Sequence, residues 1–140
     1  MNYETTYRRD PDPAAAAKFV NYLRGGSSII RRGAGPPATD ADLDRFRELV
    51  ADSEVSRHHV FAFTENYDAE WLADQVADPL RDQLGGTFML GVHTDTDHNH
   101  VHVAQAGREE ECFMDRDDLD RVRRSVASQV SEPLGEGTTA

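Results

Sequence analysis

Four of the six histidines in this 140-residue chain fall within ten residues, His93-Thr94-Asp95-Thr96-Asp97-His98-Asn99-His100-Val101-His102. His100 and His102 are two apart, so on a strand both side chains leave the same face. With His93 at the end of the preceding antiparallel strand, its ring comes up beside them across the turn. Three neutral imidazoles on one face make a divalent-metal site with positions left open for water or substrate. Lewis-acid catalysis needs such open positions, and a closed structural site lacks them. Asp95 and Asp97 are near enough to orient a ligand ring through its second N–H, whereas His98 lies on the turn, out of phase with the pair. Such ligands suit Mn2+, Zn2+, Co2+ or Ni2+, and Mg2+ where substrate oxygens complete the shell; Mn2+ and Mg2+ are the first expectation. The same residues also read as solvated histidines on a polar hairpin, or as a tract that takes up metal adventitiously. His58 and His59 are adjacent and point to opposite faces of a strand, so at most one of them joins any site.

The elements that must hold these side chains are visible in the local patterns. Residues 87–93 and 100–106 are apolar, β-branched runs joined by a short polar stretch, the signature of an antiparallel hairpin. Residues 57–64 read as a further strand, with His58, Val60 and Ala62 on one face and His59, Phe61 and Phe63 on the other; residues 2–7 read as an edge strand. Asp12-Pro13 opens a helix that carries Ala16, Phe19, Val20 and Leu23 at helical spacing and stops at Gly25-Gly26. Residues 25–39 are rich in Gly, Pro and Ser and read as a mobile loop, basic at Arg31-Arg32. Thr39 and Asp42 form a capping box for a helix ending near Asp52. Asp68 caps a helix to about Leu84, kinked at Pro79, and Asp115 caps a last helix after a stretch, 112–114, that extends the sheet. The expected fold is α+β: a central antiparallel sheet, with helices near residues 13–24, 69–84 and 115–130 mainly on one face. Residues 1–130 form the single domain and 131–140 a flexible tail.

Composition narrows the class. At 140 residues the chain is one domain long, too short for the two independent cores of a two-domain enzyme, and with 38% hydrophobic residues it can fold by itself. No apolar run reaches the length of a bilayer span, and the polar first ten residues differ from a signal peptide, so the expectation is a soluble cytoplasmic domain. Cys112 is the only cysteine, which leaves no internal disulfide and no thiolate metal cage. The net charge is −11, and the basic residues are 14 Arg against one Lys. This acidic, Lys-poor surface fits a halophilic host, where salt screens the self-repulsion. Residues 1–36 hold six basic and three acidic side chains, and the remainder nine and 23, which gives +3 and −14. A polyanionic ligand would therefore sit against the first quarter.

His93-Thr94-Asp95 followed by His100-Val101-His102-Val103 resembles the metal motif of the plasmid mobilisation relaxases, members of the HUH endonuclease superfamily. Asn21-Tyr22-Leu23-Arg24-Gly25, on the early helix, is similar to the segment that carries the relaxase nucleophile. No Tyr follows Tyr67, an order that favours relaxases over the replication initiators of the same superfamily. The resemblance spans roughly residues 15–105. It implies a metal site of His93, His100 and His102 with Asp95 and Asp97 behind it, and Tyr22 as nucleophile. Tyr3 and Tyr7, flanked by Arg8-Arg9, are the alternative nucleophiles, and Tyr67 reads as a turn residue.

The implied activity is metal-dependent, strand-specific nicking and religation of single-stranded DNA through a 5′-phosphotyrosyl intermediate, in mobilisation or rolling-circle transfer of a mobile element. Arg24, Arg31 and Arg32 would hold flanking phosphates. The implied partners are single-stranded DNA or a DNA hairpin at a transfer origin, with an accessory DNA-binding or helicase protein and no membrane. Two other readings stay open: a degenerate HUH domain that binds DNA without catalysis, and a His-metal phosphohydrolase or dioxygenase-like enzyme that uses water.

Overall fold

The computed structural model describes residues 1–25, 27–94, 98–135 and 138–139. The elements run β1 (Asn2–Arg9), α1 (Pro13–Arg24), β2 (Ser27–Arg31), α2 (Asp40–Asp52), β3 (Val55–Ala62), α3 (Ala69–Gln83), β4 (Thr87–His93), β5 (His100–Gly107), α4 (Glu109–Cys112), α5 (Arg116–Val130) and β6 (Thr138–Thr139). The strands form one sheet in the order β2-β4-β5-β3-β1-β6, antiparallel throughout except for the short β1–β6 pairing. The expected α+β fold with a central antiparallel sheet is observed. No helix among the described residues is long and apolar enough to cross a membrane.

Local chemistry sets the helix boundaries. Asp12 accepts a hydrogen bond from the Ala15 amide at 2.7 Å, with Pro13 pre-set at the first helical position. Thr39 and Asp42 form the reciprocal capping box of α2. Asp68 and Asp115 cap α3 and α5. Gly86 takes φ +69° after α3, and a Cβ there would meet the Ala106 carbonyl oxygen at 2.4 Å, so only glycine makes this entry into β4.

Helices cover both faces of the sheet, not mainly one. On one face α3 and α5 pack over Phe61, Leu90, Val92, Val101 and Val103. On the other, α1 and α2 pack over Met89, Ala104 and Ala106. The strands supply apolar residues at both parities, which a one-sided sheet would not need. Residues 27–31, expected within a loop, form an edge strand on β4, with Ile29 directed to one core and Ile30 to the other. Residues 109–112 form a one-turn helix, so Cys112 closes α4 and does not extend the sheet. The start of the expected tail is anchored. Glu132 is buried, accepts from the Tyr67 hydroxyl, the Thr64 hydroxyl and the Thr64 amide, and lies 3.5 Å from the Met1 ammonium.

Candidate functional site on the α1 face of the sheet

Strand register assembles the site. His93 pairs with His100, and Gly91 with His102, so His93, His100 and His102 leave the same face, the one beneath α1. Strand β3 lies on the other side of β5, with Val60 opposite His102 and His58 opposite Ala104. His58 therefore shares that face. Because Gly91 has no side chain, the His93 ring can lie diagonally against His102, with centroids 4.1 Å apart. His58 Nε2 and His102 Nδ1 are 2.9 Å apart, sharing a hydrogen bond between the two rings.

Helix α1 adds the aromatic cover. Tyr22 stacks on His58 with centroids 5.1 Å apart, and Phe19 meets the same imidazole edge-on at 5.8 Å. Tyr22 is 44% exposed, so one side of its ring touches His58 while the other is open to solvent. A line of contacts thus runs Tyr22–His58–His102–His93, from α1 across β3 and β5 to β4.

Both His58 and His102 are held neutral. Burial, followed by the nearby His93, lowers His58 to about 4, and burial followed by its histidine neighbours lowers His102 to about 3. Neutral imidazole is the form that ligates a metal. His93, His100 and His102 therefore fit a divalent ion in donor type and strand register. As the rings stand, no group of three His, Cys, Asp or Glu side chains among the described residues could hold an ion. The His93 and His102 rings are stacked, so ligation calls for a rotation of the His93 ring, while His102, engaged at Nδ1 by His58, would ligate through Nε2. Asp95 and Asp97 lie outside the described residues. His98 is exposed on the turn, beside Asn99, whose buried amide accepts from the Tyr67 backbone N–H at 2.7 Å and fixes the entry to β5.

His59 occupies the opposite face, fully buried between the Tyr3 hydroxyl at 2.6 Å and the Gln105 amide oxygen at 2.9 Å. It is the core histidine of the pair. Tyr3 is buried there too, and burial raises its pKa strongly. Tyr7 shares that face of β1, half-buried beneath the Arg57 guanidinium. Neither alternative nucleophile stands with the histidine cluster. Tyr67 hydrogen-bonds Glu132, as a structural residue of its turn.

The arginines expected on DNA are dispersed. Arg24, at the end of α1, pairs with Asp40 at 3.6 Å. Arg31 is on the α3 side of the sheet, donating to Asp74 at 2.7 Å, so it does not belong to the histidine face. Arg32 lies against Asp42 at 3.5 Å, in a groove with Phe46 and Met89. His58 is the residue that sequence reasoning left out. Its parity with Val60 and Ala62 was readable, but its place depends on β3 lying next to β5, a pairing made across α3 and β4.

No protein-family model matches this chain, and no curated protein matches it. Its functional reading rests on the residues themselves.

Proposed function

We propose that this chain is a metal-dependent nicking and religating nuclease for single-stranded DNA, a small relaxase-like HUH endonuclease with Tyr22 as nucleophile. It would act in the cytoplasm of a salt-adapted host, in mobilisation or rolling-circle transfer of a mobile element, with an accessory protein opening the duplex. One observation carries the reading: Tyr22, 80 residues before His102 in the chain, contacts the His58 ring that hydrogen-bonds His102.

His93, His100 and His102 are the residues that would hold the divalent ion. When bound, the ion supplies electrostatic stabilisation of the charge that develops on the scissile phosphate. Tyr22 supplies the nucleophile. A free phenol has a pKa of about 10, so it must shed its proton to attack. Its oxygen then bonds to phosphorus as the 3′ oxygen departs and is protonated, giving a 5′-phosphotyrosyl adduct and a free 3′-OH. The phosphodiester energy stays in the adduct, and the 3′-OH attacks back to religate. His58 positions the Tyr22 ring through face-to-face contact, and its hydrogen bond to His102 ties the nucleophile's support to the metal-ligand strand.

The test is incubation with Mn2+ in high salt and a mixed pool of 5′- and 3′-labelled single-stranded oligonucleotides, followed by a denaturing protein gel. Label from the 3′ segment that co-migrates with the wild-type chain and is lost in Tyr22→Phe is the expected result. Nicks without an adduct would move the reading to a hydrolase that uses water. Binding with neither nick nor adduct would make the chain a non-catalytic DNA-binding domain.

A further inference from the structure

On the same side of the sheet, a groove of about 210 Å³ opens between α1 and the β1–β3 pair, beside Tyr22. Its walls follow from periodicity. Ala15, Lys18, Phe19 and Tyr22 recur at helical spacing along one flank of α1, while Thr6 and Arg8 alternate on β1 opposite His58 and Ser56 of β3. Tyr22 and His58 close one end.

The charges here are unlike those elsewhere on the molecule. Among the described residues, ten of the 14 arginines lie within salt-bridge distance of a carboxylate. Arg57 is held by Thr5 and the Cys112 carbonyl. That leaves Arg8, Arg81, Arg116 and the only lysine, Lys18, with no carboxylate partner among the described residues. Two of these four cations line one groove, with the Thr6 and Ser56 side chains beside them. In a chain of net charge −11, a concave surface that, among the described residues, has two cations without a carboxylate partner, two hydroxyls and no carboxylate in its lining is suited to an anion.

We infer that the groove of Arg8, Lys18, Thr6 and Ser56 is a phosphate subsite that takes the backbone phosphates of a single strand adjoining the nucleotide attacked by Tyr22. The inference rests on the nuclease reading for the identity of the strand, and on the groove alone for its affinity for phosphate. It assigns backbone contact to the flank of α1 and β1, and not to Arg31. Arg8 and Lys18 bind phosphate as charges, with Thr6 and Ser56 as hydrogen-bond donors, and the exposed face of Tyr22 borders a base or sugar.

Two measurements test it on the full chain. In the first, a fluorescent oligothymidylate is titrated by anisotropy over a range of KCl in which circular dichroism shows the fold intact. Each phosphate contact on a single strand contributes a slope of about 0.7 in log K against log salt. The Arg8→Gln/Lys18→Gln chain should therefore lose about 1.4 of slope, while Arg81→Gln/Arg116→Gln keeps the wild-type slope. In the second, inorganic phosphate is titrated into 15N-labelled protein. The Thr6, Arg8, Lys18 and Ser56 amides should shift in the wild type and stay still in Arg8→Gln/Lys18→Gln.

An unchanged slope in Arg8→Gln/Lys18→Gln overturns the subsite even if the wild type forms its adduct, and leaves the nuclease reading standing. Phosphate shifts without a slope change mean a site for free anions only, which also overturns it. Shifts and a slope change in a chain that never forms a Tyr22 adduct uphold the subsite and sink the nuclease reading.

Discussion

His58 is the residue whose removal most sharply separates positioning from fold. It stacks on Tyr22 with centroids 5.1 Å apart and shares a 2.9 Å hydrogen bond with His102. An aromatic stack contributes about 0.5–1.5 kcal/mol. A hydrogen bond between uncharged groups contributes a similar amount, about 0.5–1.5 kcal/mol. If both act in the attacking arrangement, His58→Ala raises the barrier by about 1–3 kcal/mol, or about 5- to 150-fold in rate. His58→Phe keeps a ring under Tyr22 and loses only the hydrogen bond, so it should cost about 0.5–1.5 kcal/mol, or about 2- to 13-fold in rate. The assay is the single-turnover rate of covalent labelling with Mn2+ and a cleavable oligonucleotide, read beside circular dichroism and thermal melting. Wild-type labelling by folded His58→Ala would refute the positioning role, and His58→Phe as slow as His58→Ala would refute the part assigned to stacking.

Four further outcomes follow from the same geometry. Tyr22→Phe should abolish labelling yet keep its stack on His58, leaving stability within about 0.5 kcal/mol of wild type, since the ring is 44% exposed; a large drop in melting temperature would contradict this. His59 is lowered to about 3, chiefly by burial, so between pH 6.5 and 3 the unfolded chain binds a proton that the folded chain refuses. Wild type should then lose stability relative to His59→Gln as pH falls through that window, by up to about 1.4 kcal/mol per pH unit, and parallel urea-midpoint curves would rule it out. Burial alone would raise Glu132, but hydrogen bonds from Tyr67 and Thr64 and the Met1 ammonium bring it below the ordinary value. Its contribution is present above the unfolded value and lost as pH falls through the folded one, and Glu132→Gln should cost about 3 kcal/mol in chemical denaturation at neutral pH, where less than 1 would show the cluster to be inert. Arg31→Gln should leave oligonucleotide affinity unchanged by anisotropy, because Arg31 is held by Asp74 away from the histidine face; a tenfold loss would return it to the interface.

Local signals carried much of this fold. The caps at Asp12, Thr39, Asp68 and Asp115 and the Val/His alternation of 100–103 each act within a few residues, so the α1, α2, α3 and α5 boundaries and the β4–β5 hairpin were readable. Strand β2 was not. Its two isoleucines face different cores and its flanks are glycine and proline, so neither alternation nor a turn-free run marks it. The layering was hidden because which helix covers which face depends on strand order, and β3 reaches β5 only across an intervening helix and strand. The same non-local pairing decides between His58 and His59: parity separates them, but only the neighbour strand says which face holds the cluster. Arg31 and Arg32 were grouped by adjacency, yet successive side chains part to different surroundings, one to Asp74 and the other to Asp42.

Whether Tyr22 is the nucleophile of a site built on His93, His100 and His102 is decided by trapping the Mn2+-dependent adduct, digesting with trypsin and locating the nucleotide by mass spectrometry. Cleavage after Lys18 and Arg24 isolates residues 19–24, in which Tyr22 is the only tyrosine. The nucleotide is expected on that peptide, and is expected to be lost in His100→Ala/His102→Ala. A nucleotide on the peptides carrying Tyr3, Tyr7 or Tyr67, or an adduct that survives removal of both histidines, would contradict it.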